Sequence, residues 1–175
     1  MKNIILSVSS DIGYELALSL RKKKFDVIGT YRNFSKKCSQ LKKDGVRLFE
    51  CDLSLKKSIG FAANVISKEG KWDNLILSAG TQEPIGKFAD VNFDDWVKSI
   101  NVNFINQTRF LHKLMPFRNT DQNKTPRVLF FAGGGTNNAT LNYSAYTISK
   151  IASIKLCELL DAEYSDTIFT ILGPG

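Results

Sequence analysis

Short apolar runs alternate along this chain with longer stretches in which apolar residues return every three or four positions. Residues 3–8, 25–30, 46–51, 73–78, 127–132 and 167–172 are the runs. Each is short and nearly continuous, the pattern of a strand buried on both faces of a parallel sheet. After the first run, Ser9-Ser10-Asp11 supplies N-cap chemistry, and Ile12, Leu16, Ala17 and Leu20 predict a helical stripe. Residues 34–43 predict a polar helix stopped by Gly45, and 55–69 a helix closed by Gly70. Residues 93–115 read as one long helix or two joined ones, with Phe104, Thr108, Leu111 and Met115 marking its face. After a polar surface loop at 116–126, residues 144–163 predict a helix with Ile148, Ala152, Leu156, Leu159 and Leu160 inward. Strands alternating with helices specify an α/β fold, a doubly wound parallel sheet, and right-handed crossovers leave few other arrangements. Without linker or repeat, residues 1–175 form one domain.

In such sheets ligands bind beyond the carboxyl ends of the strands. Small, polar and glycine residues gather at those ends: 7–13, 30–32, Asp52, 78–80, 133–135 and 174–175. One site can use them all.

Composition narrows the classes of function. Apolar residues make up 43% and charged residues 23% of the 175, as expected of a globular protein with a real core. The net charge is +7, but the basic residues are dispersed. The longest basic run, Arg21 to Lys24, closes a helix, where positive charge suits the C-terminal end. That favours a solvated face over a nucleic-acid patch. Cys38, Cys51 and Cys157 lie far apart, an odd number without metal spacing, which points to a reducing compartment and a cytoplasmic protein. The first residues do not form a signal peptide, and no run is long enough to span a membrane. His112, the single histidine, falls within a helical pattern, so no metal site is expected.

Candidate chemistry sits in Tyr143 to Lys150. Tyr146 and Lys150, four apart, share one face of the predicted helix. An ammonium beside a phenol favours the phenolate and lowers its pKa, which suits proton exchange with an alcohol oxygen. Of five tyrosines, Tyr146 alone has a lysine four residues on, and the pair follows a strand and the cluster Ala132-Gly133-Gly134-Gly135.

These residues resemble the short-chain dehydrogenase/reductase family, an NAD(P)-binding Rossmann-type domain, along the whole chain. Tyr146-Thr147-Ile148-Ser149-Lys150 is similar to its Tyr-x-x-x-Lys signature. Asp52-Leu53 after the third strand resembles its adenine-binding Asp, Ser78-Ala79-Gly80 its Asn-Ala-Gly motif, and Gly173-Pro174-Gly175 its Pro-Gly motif. Asn103 falls where the family has an Asn in the long helix. The resemblance implies hydride transfer between a nicotinamide cofactor and a carbonyl or alcohol, with Tyr146 as acid/base. Lys150 would tune the tyrosine and hold the nicotinamide ribose, and Asn103 would sustain a water-linked proton path. Ser7, Ser10, Ile12, Arg32, Asp52, Leu53, Ser78, Ala79, Gly80, Tyr146, Lys150, Pro174 and Gly175 would contact the cofactor. A homo-oligomer paired through the helices at 103–115 and 144–163 is also implied.

The sequence departs from the family in three places. The glycine-rich turn, usually Thr-Gly-x-x-x-Gly-x-Gly, reads Leu6-Ser7-Val8-Ser9-Ser10-Asp11-Ile12-Gly13. Only the last glycine survives, and Asp11 brings a carboxylate toward the place of a pyrophosphate unless it points away. Ser7 and Ser10 can donate to phosphate. The catalytic serine, thirteen residues before the tyrosine, is replaced by Gly133; Thr136 and Ser144 are the nearest hydroxyls, and neither fits the spacing. Losing such a donor costs about a hundredfold or more in rate. The substrate loop, helix and last strand that the family carries after Pro-Gly are absent, so the chain reads as a truncated or partial version of a longer protein. The second strand ends Thr30-Tyr31-Arg32 without an acid, and Arg32 suits a 2′-phosphate, so NADP(H) is expected over NAD(H). The alternative is a non-catalytic dinucleotide-binding module on the same fold.

Overall fold

Each apolar run forms a strand in the computed structural model, which describes residues 1–121 and 123–173. The strands are β1 (Lys2–Leu6), β2 (Asp26–Tyr31), β3 (Arg47–Glu50), β4 (Asn74–Leu77), β5 (Arg127–Phe131) and β6 (Ile168–Leu172). All pair in parallel, in the order β3-β2-β1-β4-β5-β6. β1 ends two residues sooner than the apolar run suggests, because Ser7 takes φ 71° and turns the chain.

Helices α1 (Asp11–Lys22), α2 (Lys36–Lys43), α3 (Lys56–Ser67), α4 (Phe93–Ile100), α5 (Asn106–Leu114) and α6 (Ser144–Glu163) complete the layers. Ser10, Ser35 and Asn92 cap α1, α2 and α4, each accepting a backbone N–H with its side chain. This satisfies one of the donors that every helix start leaves free. One face of the sheet packs Ile4, Leu6, Leu75, Leu77 and Val128 against α3, α5 and α6, with Trp72 and Phe110 fully buried. The other packs Ile5, Val27 and Ile76 against Ala17 of α1 and Leu41 of α2.

Two helical faces differ from the expected ones. The stretch 93–115 contains a π-helical turn, Asn101–Ile105, between α4 and α5. That wide turn rotates everything after it away from a plain 3.6-residue repeat. The buried face of α5 is therefore Asn106, Gln107, Phe110, Leu111 and Leu114. Of the residues expected there, Leu111 is buried, while Phe104, Thr108 and Met115 are only partly so. In α6 the inward residues are Ala145, Ser149, Lys150, Ser153 and Cys157. Ile148 and Leu159, expected inward, are 49% and 50% exposed. This helix meets β5, β6, α4 and the π turn, and small residues on its inner side permit that approach. On α1, Ala17 is buried but Ile12 is exposed.

No described helix is long and apolar enough to cross a membrane. β6 is an edge strand with Ile168 and Leu172 exposed, as expected for its open side.

Candidate active site

The strand order reverses between β1 and β4, and a cleft of about 640 Å³ opens beyond their carboxyl ends. Its volume lies within the range of small-molecule sites. Of the expected cofactor contacts, Ser7, Arg32, Asp52, Leu53, Ala79 and Gly80 line it. Ser10, Ile12, Ser78, Tyr146 and Lys150 do not, and Pro174 and Gly175 lie outside the described residues.

Hydrogen bonding explains two of those differences. The Ser10 hydroxyl donates to the Ser7 carbonyl at 2.8 Å and accepts from the Gly13 N–H at 3.1 Å, so its proton is engaged inside the turn. The Ser78 hydroxyl donates to the Leu6 carbonyl at 2.7 Å, tying the end of β4 to the end of β1. Both act on a turn that closes tightly around Gly13. A β-carbon at Gly13 would strike the Ser7 carbonyl oxygen and lie 2.8 Å from Ser78 Oγ, which is why this glycine alone is retained in the turn. The Asp11 carboxylate leaves the cleft and pairs with Lys37, with its side chain 96% exposed. The hydrogen bond and charge of Lys37 hold its pKa below the ordinary value. The turn therefore keeps this negative charge away from the cleft.

A second, shallower cavity of about 360 Å³ shares Ser9 and Arg32 with the first and adds Asn33, Ser35, Lys36 and Lys37. Sequence reasoning singled out Arg32 alone. The lysines come from the start of α2, brought beside Ser9 by the packing of α2 on α1.

Asn103 lies in the π turn, 2% exposed. Its side chain accepts from the Thr81 N–H and donates to the Thr81 carbonyl, both at 2.8 Å, clamping the loop that leaves β4. Gln107, missed in the sequence, donates to the carbonyls of Ala79 at 3.0 Å and Asn103 at 2.9 Å. The two amides fix the Ala79-Gly80-Thr81 wall of the cleft.

Tyr146 and Lys150 meet at the exit of β5. The Lys150 ammonium lies 5.6 Å from the centre of the Tyr146 ring and donates to the Phe131 carbonyl at 2.9 Å. Lys150 is 5% exposed and, among the described residues, forms no ion pair. Burial pulls its pKa down to about 8. The expectation for the phenol is reversed: burial raises the Tyr146 pKa, because the lysine is directed at a backbone carbonyl and the desolvated phenolate has no stabilising partner. The two substitute hydroxyls are also engaged. Thr136 Oγ1 donates to the Gly133 carbonyl at 3.3 Å, and Ser144 Oγ accepts from Trp96 Nε1 at 2.9 Å. Burial pushes the Cys51 thiol in the cleft wall up to about 12, helped by the Asp52 charge. No group of three His, Cys, Asp or Glu able to hold a metal occurs among the described residues.

A doubly wound parallel sheet with a cleft where its strand order reverses defines the Rossmann-type class of nucleotide-binding folds. The family model for short chain dehydrogenases matches residues 3–174, and the chain belongs to that family. A Schizosaccharomyces pombe protein named as an uncharacterized oxidoreductase is 29% identical over 110 residues, 63% of this chain and 43% of that protein. The match thus spans less than half of that relative's length. The structure of a short chain dehydrogenase from Salmonella enterica superposes with a TM-score of 0.89 at 20% identity, covering 99% of this chain and 75% of the other. A short chain dehydrogenase/reductase from Saccharomyces cerevisiae gives 0.85 at 23%, covering 99% and 70%. At these identities the superpositions establish the fold. The family implies a nicotinamide dinucleotide cofactor and oxidoreductase chemistry.

The buried lysine predicts a pH dependence. The folded chain releases the Lys150 proton near 8 and the unfolded chain near 10.5. Between those values the unfolded state binds more protons, so stability rises with pH. Urea titrations of the wild type and Lys150→Met should differ constantly below pH 8, and the wild type should gain on the variant from pH 8 to 9.5. A difference that stays flat would refute the shift.

Proposed function

We propose that this chain carries an NADP(H)-dependent oxidoreductase site that interconverts a small carbonyl compound and its alcohol. The observation that carries the reading is Lys150. A buried ammonium without a carboxylate is costly, and groups with shifted pKa values concentrate at functional sites. Beside it stands a half-buried phenol, and Lys150 lies next to Gly80 of a cleft whose walls suit a dinucleotide: Asp52 and Leu53 for the adenine, Ser7 and Ser9 for the phosphates, Ala79 and Gly80 along its middle.

The nicotinamide, when bound, supplies the hydride. In the reduction direction Tyr146 gives its hydroxyl proton to the substrate oxygen as negative charge develops there, and it takes a proton back in oxidation. Lys150, protonated below about 8, holds the ribose hydroxyls and favours the phenolate once its ammonium turns from Phe131 toward the ring. Asn103 holds the Thr81 loop in place behind them. Gly133 supports the competing reading, a dinucleotide-binding module without catalysis, since it deprives the substrate oxygen of a donor.

NADPH consumption should be followed across a panel of simple aldehydes and ketones. Tyr146→Phe should lower turnover by about a hundredfold or more and leave NADPH affinity within about twofold. NADPH binding without turnover of any member by the wild type would favour the binding module.

The cofactor preference rests on the second cavity. Arg32 and Lys36 place positive charge with the Ser9 hydroxyl around one space, a donor set for a 2′-phosphate, while Lys37 stays paired with Asp11 and Ser35 caps α2. The guanidinium offers two parallel donors, so Arg32→Ala should weaken NADPH binding about tenfold or more and NADH binding little, as read by fluorescence titration. Equal losses would remove the preference.

Pairing of two copies through the segments 103–115 and 144–163 rests on exposed Ile105 of the π turn and exposed Ile148 and Ile151 of α6. Light scattering should give a dimer or larger assembly for the wild type and a smaller mass for Ile148→Glu. A monomeric wild type would end the proposal.

A further inference from the structure

Gly133 lies against the hydroxyl end of the Tyr146 ring. A β-carbon at Gly133 would lie 2.7 Å from both Cε1 and Cζ of Tyr146 and closer still to its hydroxyl oxygen. Such approaches are well inside van der Waals contact, so the phenol fills the volume that any side chain at 133 would occupy. The neighbouring Gly134 has nothing within 4 Å of the same position. The close approach is therefore local to 133, and the tyrosine makes it. Backbone conformation does not call for glycine there: the positive-φ glycines are Gly45, Gly70, Gly86 and Gly135, not Gly133.

Two side chains one helical turn apart thus dock on one strand exit. Lys150 is held by the Phe131 carbonyl, and Tyr146 rests on Gly133 two residues on. Thr136 Oγ1 closes the loop behind them by donating to the Gly133 carbonyl.

We propose that Gly133 is a positioning residue that seats the Tyr146 phenol, so that the tyrosine hydroxyl takes the place a side-chain hydroxyl at 133 would hold and meets the substrate oxygen without a second donor beside it. Its consequence for catalysis rests on the acid/base reading of Tyr146; the seat itself does not. A side chain at 133 meets the tip of Tyr146, the part free to move, and shifts it from this seat. The unseated ring swings toward the open cleft and regains solvent.

The test is the ionisation of Tyr146, followed as phenolate absorbance near 295 nm, with Tyr146→Phe subtracted to isolate it. The seated, desolvated phenol should titrate above the ordinary tyrosine range. In Gly133→Ala its midpoint should fall toward about 10, whereas Gly134→Ala should leave it unchanged. A midpoint in Gly133→Ala equal to the wild type, or an equal shift in Gly134→Ala, overturns the seat. If Gly133→Ala is too unstable to titrate, the same alanine is placed in a Tyr146→Ala background and both pairs are compared by thermal melting. Removing the ring should make alanine at 133 tolerated. Equal destabilisation with and without the ring overturns the proposal. Neither measurement uses turnover, so a failed seat leaves the oxidoreductase reading standing, and an inactive enzyme leaves the seat testable.

Discussion

Everything in this molecule depends on β1 lying between β2 and β4 in a parallel sheet. The chain leaves β1 toward one side, returns, and crosses to the other, so the loops after β1 and β4 separate above the sheet and open a cleft. Parallel pairing sends every strand's carboxyl end to that same side. The ends of β1, β2, β3, β4 and β5 then supply Ser7, Arg32, Asp52, Gly80 and Gly133 without any of the five being near another in sequence. The cleft's walls are a by-product of the layer arrangement. What each strand end carries decides the chemistry.

The first turn shows how much of a nucleotide-binding architecture survives without its glycines. Ser7 accepts a left-handed backbone, which is uncommon for a residue with a side chain, and the Thr30 hydroxyl takes its N–H at 2.9 Å. Ser10 and Ser78 supply hydrogen bonds inside the fold. Asp11 opens α1, where a carboxylate is favoured by the helix dipole, and is drawn outward by Lys37. The single irreplaceable glycine is Gly13, because there the backbone of the turn leaves no room for a β-carbon. The other family glycines are replaced where space or a partner exists.

At the exit of β5 the balance is electrostatic. Lys150 is buried against one carbonyl, and Tyr146 is half-buried against a glycine. Each therefore rests nearer its neutral form than it would in water, the lysine through a lowered pKa and the phenol through a raised one. A new hydrogen-bond partner at either group would alter both its desolvation and its orientation.

The sequence by itself determined the six strands, the span of α6, the parallel doubly wound class and the tyrosine-lysine pair, because these are local patterns: apolar runs, N-caps and a spacing of four. It also located the strand-end residues, since glycine and small polar residues interrupt apolar runs wherever a strand stops. Only the tertiary structure decided what those residues touch. The π turn at Asn101–Ile105 breaks the repeat from which the α5 face was read. The inner side of α6 is chosen by close packing rather than by apolarity, which leaves Ile148 exposed and Lys150 buried. Lys36 and Lys37 join Arg32 through the docking of α2 on α1, and Tyr146 finds Gly133 through the docking of α6 on the exit of β5. Contacts between residues far apart in the chain carry no periodic signal, so hydrogen-bond partners, desolvation and the sign of the Tyr146 shift emerge only when the layers close.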